Sequence, residues 1–521
     1  MCQRAGRHGR VLRVGTFNGK PGQCATIQEA VDDSSAGGWI LVAPGDYKET
    51  SSRHAPGAYG DDRAPASILV RTPGLHIRGM NRNTVVIDGT KSGSPQCSSA
   101  EADQTFGPET ESGPEGNNGI EVYKASGVYL QNLTVCNFLN GSHGGGDALW
   151  FDGGGASGQQ AIGSWWGEYL NATSTYWGGK SKPSMEYGIY ASNTTGPGYF
   201  VNDFASNSSD SAFYVGACPD CNTTLDKVTA ENSDLGYSGS NSGGRLIVKN
   251  SLFQNNEEGF ATQSQNNDDA PPPQDGTCPN GRENPTPPAE AQRKNICWEF
   301  INNRVLNNNN GRTPTHNSAP GLVGAGMSIA GGHNDLVTGN TFSGNKAWGI
   351  LLVPYLGVGE SPPEQVPPED NCKGGVKVEG GCVFEAFANE IYNNTFSDNG
   401  GYGNPSNGDI GEVANAEPAV LTNCWHGNVE EGGGEPTSEP KLIQTTHGTC
   451  SSPNAGGEPT TSVLAAQATC DSQLLLECPS VPGEEYPRFP NEVKMLPVPE
   501  QETMPNPCLG VPHNPWCKRR K

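Results

Sequence analysis

Asparagines five positions apart recur along the chain: Asn132/Asn137, Asn202/Asn207, Asn250/Asn255, Asn303/Asn308, Asn340/Asn345 and Asn394/Asn399, with Lys227/Asn232 in one further slot. Each pair encloses apolar or small residues, as in Asn250-Ser-Leu-Phe-Gln-Asn255 and Asn340-Thr-Phe-Ser-Gly-Asn345. That is a short strand between two tight bends. Asparagine suits such bends because it tolerates the left-handed conformation and hydrogen-bonds to its own backbone. A bend repeated this way constrains the chain to a stack of coils.

A second frame sets the period. Short apolar strands centred on Leu149, Ile189, Phe213, Tyr237, Phe260, Met327 and Ile350 precede the pairs. From Ile189 to Phe260 they follow at intervals of about two dozen residues, the length of one solenoid rung. Longer gaps at 153 to 185, 267 to 295 and 357 to 383 have loop composition and are expected to be insertions in turns, leaving the rungs in register.

Composition agrees. Gly 71, Pro 41 and 33% hydrophobic residues do not support a helical core and fit many short strands and turns. The expected organisation is an N-terminal extension (1–24), one repeat domain (25–425) and a Pro/Gly/Cys-rich tail (426–521), irregular except for a short helix at 462 to 477. With 56 acidic against 33 basic residues the net charge is −23, which disfavours nucleic acid and anionic membranes as partners. No apolar run reaches transmembrane length.

Sixteen cysteines point to disulfides in an oxidising compartment, hence an extracellular or cell-surface protein. No signal peptide stands at Met1, and the start reads as a trimmed precursor. Cys278/Cys297, Cys372/Cys382, Cys470/Cys478 and Cys508/Cys517 are close pairs flanking loops or lying in the tail. Cys218-Pro-Asp-Cys221 lacks a second pair of metal-site spacing and reads as a structural disulfide. Sequons occur at Asn132, Asn140, Asn171, Asn193, Asn207, Asn222 and Asn393.

Near the start, Ala25-Thr-Ile-Gln-Glu-Ala-Val-Asp32 has the spacing of a short amphipathic helix, followed by a strand at Trp39-Ile-Leu-Val42 and a turn at Pro44-Gly45. A Thr-Ile-Gln-x-Ala-Val helix leading into Ile-Leu-Val-Ala-Pro-Gly-Asp-Tyr resembles the capping entry of the pectate-lyase-like superfamily of right-handed parallel β-helix proteins. The Asn-x4-Asn coils and Gly331-Gly-His-Asn-Asp-Leu-Val-Thr-Gly-Asn340 are similar to its repeats. The resemblance spans about residues 25 to 425 and implies an all-β, right-handed parallel β-helix. It also implies work on a polysaccharide along one sheet, in pectate lyases with Ca²⁺ on acidic residues and an Arg or Lys as base. Arg245 and Lys182 border that face, but neither sits in a matching motif, and the Asp-Pro-His-Asp signature of uronate epimerases is absent. The superfamily also includes non-catalytic members, so the fold alone names no reaction.

In-register stacking turns sequence offsets into columns, with equivalent residues about 4.8 Å apart. The residue after each inward apolar position is Trp150, Tyr190 or Tyr214, an outward aromatic column that reads either as a sugar platform or as a ladder stiffening the sheet. Three places before the inward position stand Glu186, Asp210, Asp234 and Glu257. Carboxylates this close need a bound cation such as Ca²⁺, a protonated member, or water around them. His143, Asp147 and Asp152 are further candidates for acid/base work. The expected function is binding of an extended polysaccharide by a secreted monomer, with lyase or hydrolase cleavage as its enzymatic form and no obligatory cofactor. The alternative is a non-catalytic surface or envelope protein.

Overall fold

A computed structural model describes residues 2, 11–50, 52–56, 64–154, 160–179, 181–218, 220–240, 242–263, 282–283, 295–315, 322–358, 376–378, 381–402, 407–413, 423–448, 464 and 492–518. The chain divides into two compact units. Unit 1 comprises Met1–Gly155, Gln159–Ala212 and Met495–Lys521; unit 2 comprises Ala156–Gly158 and Phe213–Lys494.

Both units are right-handed parallel β-helix, the hand expected of parallel strands joined by crossovers. In unit 1 one sheet pairs Ile68, Ile120, Leu149 and Ile189 in register on the strands Ala66–Val70, Asn118–Tyr123, Leu149–Asp152 and Ile189–Ser192. A second sheet aligns Ile40, Ile77, Leu130, Gly167 and Phe200. All the apolar members are fully buried. In unit 2, Phe260, Met327, Ile350 and Ile410 form the matching column, and Phe253, Val305, Phe342 and Phe396 form another. Each such side chain contributes about 1.5–3 kcal/mol of burial, and only against a neighbouring coil.

The entry helix is Ile27–Asp32. Thr26 Oγ1 accepts the Glu29 amide at 3.0 Å, and the Glu29 carboxylate accepts the Ala25 amide at 3.0 Å. This reciprocal pair satisfies two otherwise orphaned donors. Ile27, Ala30 and Val31 bury the inner face.

The asparagines hold two different positions. Asn132, Asn137, Asn202, Asn207, Asn250 and Asn255 are left-handed corners with φ between 54 and 64°, as are Lys227 and Asn232 at 58 and 51°. In later coils of unit 2 the corners are Asn302, Asn307, Gly339, Gly344, Asn393 and Asp398. Asn303, Asn308, Asn340, Asn345, Asn394 and Asn399 therefore stand one place beyond the corner. The left-handed expectation fails for these six because their amides do a different job.

That job is a set of amide ladders. The backbone N–H groups of Asn303, Asn340 and Asn394 donate to the Oδ1 of Asn340, Asn394 and Asn428 on the next coil, at 2.7, 3.0 and 3.0 Å. In the other direction, Asn340 and Asn394 donate from Nδ2 to the Phe300 and Val337 carbonyls, at 2.8 and 3.0 Å. A second ladder runs through Asn256, Asn308, Asn345 and Asn399. A third runs through Asp335, Asn389 and Asn423. Adjacent ladders lie five residues apart, which is the origin of the sequence spacing. Turn backbone that is buried needs such partners.

The expected insertion at 153 to 185 contains a complete rung strand, Trp165–Thr173, paired with Val128–Cys136 and Gly198–Val201. Its Gly, Ser and Trp content masked it. The expected insertions at 267 to 295 and 357 to 383 lie largely outside the described residues, as does the 462 to 477 helix apart from Leu464. Parallel pairing continues past residue 425, with Trp425 on Ile391 and Val429 on Thr395.

Cys218–Cys221 and Cys508–Cys517 are disulfides, as are Cys2–Cys24 and Cys97–Cys136. Cys278, Cys372, Cys470 and Cys478 lie outside the described residues. Met495–Cys517 follows unit 1 as an extended strap with no helix or strand. Turn asparagines hold it: corner residues Asn207 and Asn132 accept the Leu496 and Met504 amides at Oδ1, at 3.1 and 2.9 Å, and Asn83 Oδ1 accepts the Gln501 amide at 2.9 Å. Trp516 packs with Val11, Leu41, Ala43 and Met80.

Asp335 puts a carboxyl where the other ladder members carry an amide. Burial drives its pKa well above the ordinary value, opposed by the Trp298 amide. A carboxyl with a raised folded pKa stabilises below its unfolded pKa, and that contribution is lost as pH rises. We predict that Asp335→Asn raises the urea midpoint at pH 7 by the equivalent of about 1–3 kcal/mol, with the gain shrinking toward pH 4 as the Asp335 carboxyl of the unfolded chain also becomes protonated.

Candidate functional site

The sheet of unit 1 that carries Leu149 and Ile189 also carries the residues picked out as a column. Strand alternation turns Leu69, Glu121, Trp150 and Tyr190 outward in register. Trp150 and Tyr190 stack almost parallel, with centroids 5.1 Å apart and planes at 3°. Trp150 is only 5% exposed and donates from Nε1 to Ser192 Oγ at 3.0 Å. The expected pairing of these two rings is therefore present, but Trp150 is covered rather than open to solvent.

The acids sit in the turn before the strands. The Asp210 amide donates to the Glu186 carbonyl at 3.2 Å, so the two are in register on adjacent coils. Glu186 Oε2 accepts Asn140 Nδ2 at 3.0 Å. Asp210 is 3% exposed. Its Oδ2 accepts the Tyr187 hydroxyl at 3.1 Å, and its Oδ1 accepts the Ser211 hydroxyl. Tyr187 in turn stacks on Tyr190, with centroids 4.7 Å apart. Burial pushes the Asp210 pKa up to about 6, while the Ser211 and Tyr187 hydroxyls pull it down. A carboxyl poised there exchanges protons near neutral pH, as general acid–base work requires.

The remaining candidates are placed elsewhere. His143 lies in the turn between Asn140–Gly141 and Gly144–Gly145, 3.4 Å from Glu115, which also pairs with His54. The Asp147 amide donates to Asn118 Oδ1 at 3.2 Å, and Asp152 Oδ1 accepts the Gly154 amide at 2.6 Å. Tyr214, Asp234 and Glu257 belong to unit 2. There the Tyr214 hydroxyl reaches the Ser240 carbonyl at 3.5 Å, and fully buried Glu257 accepts the Thr315 hydroxyl at 2.9 Å. Asp234 is also fully buried and in register with Glu257, through the Leu235–Glu258 bridge. Asp210, Asp234 and Glu257 are thus packed inside rather than resting in solvated turns.

Among the described residues, the close grouping of three potential metal ligands is Asp88, Cys97 and Cys136, and its two sulfurs are joined as a disulfide. Of the acidic column, Glu186 and Asp210 are the adjacent pair in unit 1, already engaged by Asn140, Tyr187 and Ser211.

Sequence reasoning missed Tyr187 and Glu121. Glu121 was legible, because Gly119-Ile-Glu-Val-Tyr123 repeats the alternation of Leu149-Trp-Phe-Asp152 one coil earlier. It also missed a five-ring stack on the other sheet of unit 1: Trp39, His76, Tyr129, Trp166 and Tyr199, with successive centroids 4.0, 4.2, 4.3 and 5.6 Å apart. His76 is half-buried between rings, and this partial burial, with the Arg78 charge beside it, lowers its pKa to about 4. These rings spend their faces on one another, so they act as a stiffening ladder.

No protein-family model and no curated protein matches the chain. Among solved structures it is similar to the A-module of the Azotobacter vinelandii mannuronan C-5 epimerase AlgE6, at 12% identity over 79% of this chain and 85% of that one, TM-score 0.40. It is also similar to a pectin methylesterase in complex with a hexasaccharide, at 13% identity over 57% and 79%, TM-score 0.31. A third is a mutant tailspike protein of an E. coli bacteriophage in complex with a pentasaccharide, at 11% identity over 81% and 62%, TM-score 0.39. The fold reading rests on the strand pairing itself. No helix of the described residues is long and apolar enough to cross a membrane.

If the Tyr187 hydroxyl stabilises the charged form of Asp210, Tyr187→Phe moves the carboxyl pKa upward from about 6, by roughly half a unit to one unit. Carbon-detected NMR titration of the Asp210 carboxyl reads this directly; an unchanged or lowered value contradicts the assignment.

Proposed function

We propose that this sheet of unit 1 binds an extended polysaccharide and that Asp210 transfers the proton in its cleavage by lyase or hydrolase chemistry. The observation that carries the reading is a buried carboxyl with a pKa of about 6, held by Tyr187, whose ring joins the Tyr190–Trp150 stack. Keeping a carboxyl in a buried site costs stability at neutral pH, so its placement beside aromatic rings favours a working role over a packing one. Tyr190 and Tyr187 supply apolar surface and hydroxyls, the combination that sugar rings require. Glu186, Asp147 and Asp152 lie on the same or neighbouring coils as supporting polar groups. His143 lies against Glu115 and takes no part.

A Ca²⁺ ion on Glu186 and Asp210 is the other use of these acids. It requires displacing Asn140 and Tyr187 from oxygens they already occupy. Disulfides on the described coils support an extracellular or surface setting.

A non-catalytic surface protein is the second reading. The 3° stack and 5% exposure of Trp150 favour it, because a ring whose face is spent on Tyr190 offers a sugar mainly its edge.

A screen of acidic and neutral polysaccharides for unsaturated products and new reducing ends separates the two. Cleavage is expected, with Asp210→Asn lowering its rate by about 100-fold or more while binding persists. Trp150→Ala is expected to weaken binding roughly tenfold. Binding without cleavage supports the non-catalytic reading, and intact binding by Trp150→Ala removes the column from the recognition surface.

A further inference from the structure

A cavity of about 550 Å³ in unit 1 gathers positive charge in a chain whose net charge is −23. Arg53, His54 and Arg71 line it, together with Gln28, Asp32 and Leu69. Its volume falls within the roughly 300–1,000 Å³ range of small-molecule sites.

One of its two guanidiniums, that of Arg53, is held by a relay that begins in the capping helix. Gln28, 8% exposed, accepts the Leu69 amide at 2.7 Å and donates to Asp32 Oδ1 at 2.8 Å. Asp32 Oδ2 accepts Arg53 Nη2 at 2.6 Å. A buried amide thus fixes an acid, and the acid fixes a guanidinium with its other donors left over. The Arg53–Asp32 pair itself is too exposed, at 47% and 42%, to contribute much stability. Arg71, on the same wall, has no ion pair among the described residues. Among the described residues two guanidiniums therefore face a single lining acid, and Val31, Ser52 and Thr72 complete the lining.

We propose that this cavity binds an oxyanion-bearing ligand, a carboxylate or a phosphate group, through Arg71 and the spare donors of Arg53. A guanidinium fork matches either anion with two parallel hydrogen bonds. The cavity also lies at the capped end of the outward column, since Leu69 is in register with Glu121 and, one coil further, Trp150. The proposal does not depend on Asp210 or on cleavage.

The test is calorimetric titration of the full chain with inorganic phosphate, with glucuronate and with glucose. Binding of phosphate or glucuronate, and none of glucose, is expected; which of the two binds distinguishes a phosphate from a sugar acid. Arg71→Ala is expected to weaken that binding roughly tenfold or more, with an unchanged melting temperature because Arg71 is exposed and has no ion pair among the described residues. Arg71→Lys, which keeps the charge and loses the fork, should fall between. Absence of binding by both anions, or equal binding by Arg71→Ala, overturns the proposal.

Discussion

The interaction on which the rest depends is the hydrogen bond between an asparagine side-chain amide and the backbone of the neighbouring coil. Strand ladders close only the straight parts of each coil; the bends between them leave buried N–H and C=O groups that must also be satisfied. In unit 2 the inward asparagines do this with both side-chain atoms, Oδ1 taking a backbone amide and Nδ2 reaching a backbone carbonyl of the preceding coil. Because each amide binds one particular residue on the next coil, the ladder fixes register as well as satisfying the bend. A slip by one residue would turn the phenylalanine column outward.

Register, in turn, makes a site out of residues far apart in sequence. Tyr187 and Asp210 meet because their coils are stacked, and Trp150 meets Tyr190 for the same reason. The same burial that stabilises the stack raises the energy of any carboxylate placed inside it. Asp210 and Asp335 both show this through raised pKa values. They differ in surroundings: Asp210 has two hydroxyl donors and aromatic neighbours, whereas Asp335 takes a ladder position that its homologous coils give to asparagine. The first arrangement suits proton transfer, and the second is a cost to the fold.

Much of the fold was legible from spacing. The apolar frame of Leu149, Ile189 and Phe260 marked inward positions, and the entry helix was readable from the apolar spacing of Ile27, Ala30 and Val31. The exact corner was harder to read, since Asn302-Asn303 and Asn307-Asn308 place asparagine both at the left-handed corner and one place beyond it. Only the φ angles separate the two. The Trp165–Thr173 rung was hidden by its glycine-rich surroundings. For the site, register anticipated that Trp150 and Tyr190 lie side by side, but not the burial of the candidates: Trp150 and Asp210 read as outward or turn residues, and the chain packs over both. Tyr187 went unnoticed because it lies between the acidic and aromatic positions, and only its rotamer brings it to Asp210.

The most direct measurement is the equilibrium unfolding free energy of Asn394→Ala, together with amide hydrogen exchange at Asn340. Removing this side chain strips the acceptor from both the Asn340 backbone N–H and its Nδ2, and the donor from the Val337 carbonyl. A loss of about 3 kcal/mol or more is expected, with exchange at Asn340 accelerated ahead of residues in the strand centres. A loss below about 0.5 kcal/mol, with Asn340 still protected, would contradict the claim that the amide ladder holds the coils in register.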